Sequence, residues 1–177
     1  MSLDTFVVLA NQYNTESDAL ADYDAVRKLY NDLGIIDTYD AAVLTRGADG
    51  KVEIVKRVEE PTRHGAAAGL LIGLAVGAAV VLFPAAGIPL AAGMAGGAAI
   101  GTTAGAVAGH VARGMKRSDL KELGELLDNG KNGLVVVAAS DVASKVEAAI
   151  TRAKKRAKAQ LQTDVDAMKK EIDRVAA

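Results

Sequence analysis

Tyr39-Asp40-Ala41-Ala42-Val43-Leu44-Thr45-Arg46, Gly47-Ala48-Asp49-Gly50 and Lys51-Val52-Glu53-Ile54-Val55-Lys56-Arg57-Val58 decide the fold. The outer two runs read as strands over 39–46 and 51–58, joined at Ala48-Asp49-Gly50. Asp-Gly between alternating strands is the strongest short hairpin signal, because both positions tolerate positive φ. Upstream, Thr5 to Ala10 is a short β-rich run that should end at the polar cluster Asn11-Gln12-Tyr13-Asn14. Thr15 with Asp18 three residues on predicts a helix N-terminus, an acidic variant of the capping box. That helix sets Ala19, Leu20, Tyr23, Val26, Leu29, Tyr30 and Leu33 on one face and stops at Gly34.

Downstream, Ser118 or Asp119 should cap a second helix with Leu120, Leu123, Leu126 and Leu127 inward and Gly130 closing it. Leu134 to Ala138 reads as a buried strand. The order strand, helix, strand, strand, helix, strand predicts an α+β, ferredoxin-like βαββαβ sheet with two helices on one face. Its first and last strands are apolar on both faces, as Phe6 and Val8 against Val7 and Leu9 show. The uncovered face must therefore meet a second subunit or another part of this chain, and a subunit contact is the expectation. Ser140-Asp141 opens a final helix expected to run to the C-terminus. Its apolar seam is Val142, Val146, Ile150, Ala153, Ala157, Leu161, Val165, Met168, Ile172 and Val175. Such a helix would reach about 50 Å and pack on another helix, with Arg152, Lys154, Lys155, Arg156 and Lys158 on its solvated face.

Between the third strand and the second helix lies a different kind of sequence. Residues 65–109 hold no charged side chain. Gly65, Gly69, Gly73 and Gly77 recur every fourth position, as do Gly93, Gly97, Gly101, Gly105 and Gly109. On a helix, i and i+4 share a face, so each arm carries a groove without side chains. Glycine costs roughly 1 kcal/mol in a helix interior relative to Ala, and only close backbone packing compensates for nine of them. Pro84, Gly87 and Pro89 break the run, so the segment folds back as a hairpin. The arms match the roughly 20 residues needed to cross a bilayer. Lys56, Arg57 and Arg63 precede the hairpin, Arg113, Lys116 and Arg117 follow it, and the tip has no basic residue. The positive-inside rule then puts both termini, and with them the α+β domain, in the cytoplasm, with the hairpin in the membrane. The second arm has few large apolar side chains, so a soluble cage, particle or filament that buries the hairpins against one another stays open beside the membrane reading.

The division is thus 1–62 and 115–140 for the ferredoxin-like domain, 63–114 for the hairpin and 141–177 for the terminal helix. Residues Tyr39 to Arg46 with Asp49 to Val52, the glycine-rich insert, and Leu120-Lys121-Glu122-Leu123 through Leu134 to Val137 together resemble an uncharacterised bacterial family. Its members are predicted membrane proteins of unknown function. The resemblance covers roughly residues 3 to 150. It implies a ferredoxin-like core with an intramembrane or self-associating hairpin and a link to stress, and it supplies no catalytic residues. The tail from about Thr151 departs from that pattern.

Composition narrows the chemistry further. The chain has 21 basic and 22 acidic residues, so no global field recruits nucleic acid. There is no Cys, which excludes thiolate metal sites and cysteine nucleophiles. The N-terminal Met-Ser-Leu-Asp lacks the basic-then-apolar pattern of a signal peptide, in line with a cytoplasmic N-terminal domain. No Gly-Lys-Ser/Thr follows the glycines, so a phosphate loop is not expected. His64 and His110, at opposite ends of the hairpin, read as polar end-markers in preference to a metal site. Asp18, Asp22 and Asp24 read as helix-surface positions. The expectation is a non-enzymatic homo-oligomer without cofactor, associated with itself and with lipid. A small-molecule sensor built on the sheet is a weaker alternative that rests on fold analogy.

Overall fold

The computed structural model describes residues 4–34, 40–46, 52–57, 78, 110–128, 131–164, 166–168, 170 and 174. These form β1 (Asp4–Tyr13), α1 (Glu16–Asp32), β2 (Asp40–Arg46), β3 (Val52–Arg57), α2 (Arg117–Asp128), β4 (Asn132–Ala139), α3 (Ala143–Ala149) and β5 (Lys155–Thr163). The expected Ala48-Asp49-Gly50 turn and Gly130 lie outside the described residues.

The fold is α+β, with an antiparallel five-stranded sheet in the order β3-β2-β4-β1-β5. The βαββαβ succession is as read from the sequence. In a ferredoxin-like sheet the first strand lies between the third and fourth; here β1 lies between β4 and β5, and β2 between β3 and β4. Both crossovers are split: β4 separates β1 from β2, and β2 separates β3 from β4.

The two helices read from the sequence, α1 and α2, do not share a face. On one side Leu9, Tyr13, Ala41, Val43, Leu134, Val136 and Ala138 meet Ala19, Tyr23, Val26 and Tyr30 of α1 and Val146 of α3. On the other, Phe6, Val8, Ala10, Ala42, Leu44, Val135 and Val137 meet Leu123 and Leu127 of α2, with Val111, Met115, Met168 and Ala78. The second sheet face is therefore covered from within the chain, which corrects the expected subunit contact. Fully burying each large apolar side chain contributes about 1.5–3 kcal/mol. Strands that are apolar on both faces thus gain most between two layers. With α1 and α2 on opposite faces, the two crossovers have opposite hands. The right-handed preference comes from a helix packing straight back on its sheet, and the chain from β3 to β4 runs over residues 58–131, far longer than such a crossover.

Local signals explain the first half of the chain. Thr15 Oγ1 accepts from the Asp18 backbone N–H at 3.1 Å, the N-cap expected of α1. Gly34 ends the helix at φ 71°, where only glycine is unstrained. The Leu33 side chain is exposed and does not join the buried face. β1 outruns its expected end because Asn11 and Gln12 are buried with partners: Asn11 Nδ2 donates to the Leu134 carbonyl at 3.1 Å, and Gln12 Nε2 to the Leu126 carbonyl at 3.0 Å. Satisfied amides extend a strand as well as apolar residues do.

The long C-terminal helix is not formed. The chain makes one short helix, α3, then turns at Ile150 into extended backbone and pairs β5 along β1, from Asp4 opposite Thr163 to Gln12 opposite Lys155. Two forces stop the helix. The Asp22 carboxylate takes the Arg152 backbone N–H at 2.9 Å, which a continuing helix would bond to its own preceding turn. The exposed edge of β1 then gains a full ladder from β5. Ala159, Leu161 and Thr163 alternate inward with exposed Lys158, Gln160 and Gln162.

Candidate functional site

Asp22 is a fully buried carboxylate on α1, where a surface position was expected. Its shortest partners are the Tyr13 hydroxyl and the Arg152 N–H, each donating at 2.9 Å. The Thr151 N–H and Arg152 Nη1 lie farther, at 3.4 Å. Burial, and then the Asp22 carboxylate beside it, push the Tyr13 hydroxyl far above its ordinary range, so it stays a proton donor. The network ties β1, α1 and the α3–β5 turn together. Among the described residues it lines neither of the two cavities beside β5, and its bonds serve the fold.

Among the described residues, two cavities involve β5. One, of about 170 Å³, has Leu9, Ile150 and Ala157 among its walls and Glu147, Arg156 and Lys158 around its rim. The rim charges are already used: Arg156 donates to the Glu147 and Ile150 carbonyls at 3.2 and 3.0 Å, and Lys158 pairs with Glu147 at 3.0 Å. Lys154, Lys155, Arg156 and Lys158 are exposed as expected, but they precede or belong to a strand.

The other cavity, of about 310 Å³, is lined by His110, Arg113, Gly114, Gln162, Thr163 and Asp164. It sits where the helical residues 110–114 cross the end of β5. Gly114 permits that crossing: a Cβ there would lie 2.3 Å from the Gln162 carbonyl oxygen and 2.6 Å from Leu161 Cδ1. Thr163 is 3% exposed, and its hydroxyl has no hydrogen-bond partner. Leaving a buried hydroxyl unsatisfied costs about 1–3 kcal/mol. Arg113 is exposed and, among the described residues, makes no ion pair. Asp164 accepts the Ala167 N–H at 2.9 Å and so heads the next helical turn.

The packing residues expected from the sequence, Gly65, Gly69, Gly73, Gly77, Gly93, Gly97, Gly101, Gly105 and Gly109, lie outside the described residues, as do Pro84, Gly87, Pro89 and His64. Ala78, next to Gly77, is described: it is helical, 1% exposed and part of the cluster under α2. Among the described residues no helix is long and apolar enough to cross a membrane, and no group of His, Asp and Glu could hold a metal. Sequence reasoning missed Gly114, which falls out of step with the four-residue glycine spacing, and Thr163, which reads as one more polar residue on a helix. Comparison with protein families, with curated proteins and with solved structures finds no match to this chain.

Proposed function

We propose that this chain is a non-enzymatic, self-associating structural protein of a bacterial inner membrane, anchored by a glycine-zipper hairpin over residues 63–114 with both termini in the cytoplasm. The observation that carries this reading is the uncharged stretch 65–109 with its two four-residue glycine ladders, bounded outside by basic residues and broken in the middle by Pro84 and Pro89. Membership of the membrane-protein family it resembles over residues 3 to 150 belongs to the same proposal. The α+β domain then serves as a cytoplasmic head, and homo-oligomers form through the zipper faces.

One observation favours a second reading, a soluble assembly in the cytoplasm. Ala78 packs in one buried cluster with Val111, Met115 and the sheet residues Val8 and Val135. A residue of the first arm that is buried in the core of the α+β domain suits burial in protein. Expression without detergent, ultracentrifugation and alkaline carbonate extraction separate the two. Retention in the lipid pellet supports the membrane oligomer; a large lipid-free particle by light scattering supports the soluble assembly; a monodisperse monomer in the supernatant sinks both.

A further inference from the structure

We propose that the cavity between residues 110–114 and the end of β5 is an oxyanion site that takes a phosphate group, with Arg113 and Thr163 as its binding residues. Three observations converge on it. Arg113 lines the cavity with a guanidinium that has no ion-pair partner among the described residues, and its forked donors suit tetrahedral phosphate oxygens. Thr163 lines the same cavity and is 97% buried by its 3% exposure, yet its hydroxyl has no partner. Buried polar atoms are nearly always satisfied, so such an exception calls for a ligand. The volume, about 310 Å³, admits a phosphate with part of its substituent. Asp164 also lines the cavity and opposes an anion, but one of its oxygens accepts the Ala167 N–H at 2.9 Å, which turns its charge toward that helical turn.

The phosphate has two possible sources. His110 follows directly on Gly109, the last zipper glycine, so on the membrane reading the cavity stands at the base of the hairpin, level with lipid headgroups. A free phosphate or phosphorylated metabolite offers the same chemistry. Only the lipid source rests on the membrane reading.

The full chain is purified in a non-ionic detergent and melted with rising inorganic phosphate against sodium chloride of matched ionic strength. Wild type should gain a saturable rise in Tm with phosphate alone. Arg113→Gln should weaken that response at least tenfold. Thr163→Val should weaken it too, yet melt no lower than wild type without phosphate, because the methyl replaces a hydroxyl that bonds nothing. In a second arm, wild type and Arg113→Gln are floated with vesicles of phosphatidylglycerol or phosphatidylcholine. A preference for phosphatidylglycerol that Arg113→Gln loses identifies the lipid headgroup; an unchanged preference with a lost phosphate response identifies a free phosphate. Flotation with neither vesicle rejects the membrane reading and leaves the phosphate arm to judge the site. The proposal is overturned if wild type shows no saturable phosphate response and Arg113→Gln floats like wild type, or if Thr163→Val alone lowers the phosphate-free Tm.

Discussion

Replacing Asp22 by Asn keeps the side chain's shape but turns one acceptor into a donor facing donors. The Tyr13 hydroxyl and the Arg152 N–H, both at 2.9 Å, compete for what remains. Asp22→Asn should cost about 2–4 kcal/mol in urea unfolding, with no surface change to explain it. Tyr13 adds a pH signature whose sign is fixed. Its folded-state pKa lies far above the ordinary value near 10, so its contribution is complete below that pH. As pH rises beyond about 10, the unfolded chain ionises while the folded one stays protonated, and stability falls. Tyr13→Phe should flatten that alkaline decline in urea midpoints measured from pH 9 to 11.5; an unchanged slope would place the titrating group elsewhere. Gly114→Ala forces a methyl into a backbone carbonyl and should destabilise by at least about 2 kcal/mol. Gly133→Ala meets the movable Leu127 Cδ2 at 2.9 Å and should cost clearly less. Reversal of that order would mean that residues 110–114 do not sit tightly on β5.

At the level of elements, Ala159 distinguishes a terminal strand from a terminal helix. In β5 it is 6% exposed beside Leu161, whereas on a continuous helix it would point away from the seam through Ala157 and Leu161. Ala159→Lys should therefore cost several kcal/mol by burying an unpaired charge, and a neutral outcome by chemical denaturation would restore the helix. Truncation from Thr151 should unfold the domain, because it strips the partner from one edge of β1. The first four strands and α1 were legible because their signals are local: a cap at Thr15, a stop at Gly34, and the alternation of Val52, Glu53 and Ile54 in β3. The terminal strand was not, because Ala157 and Leu161 stand four residues apart, a spacing that suits one face of a helix and one face of a strand alike. Ala159 and Thr163 carried the distinction, and both are weakly apolar. The partner that broke the helix, Asp22, lies 130 residues before Arg152 and leaves no mark near it. Of the cavity beside residues 110–114 only His110, as a hairpin end-marker, and Arg113, as a flanking charge, were singled out; its other walls come from residues that meet through Gly114.

For the molecule as a whole, Ala78 links the head to the glycine-rich segment. Replacing residues 64–109 with a flexible Gly/Ser linker should leave a cooperatively folding head, since closure entropy grows slowly with loop length. Its urea midpoint should fall, because the cluster under α2 loses Ala78, and on the proposed reading higher assembly should vanish from light scattering. An unaltered particle size would remove the zipper from the account. The placement of β1 between β4 and β5 also sets a schedule. A ribosome adds roughly 5–20 residues per second, so about 150 residues from Tyr13 to Thr163 take some 8–30 s. Throughout that interval the first strand made lacks at least one of its two neighbours, and the entire glycine-rich segment is translated before either exists. On the proposed reading, nascent hairpins therefore have seconds in which to reach a bilayer or one another while the head is still open, and β5, the last of the described strands, closes the sheet.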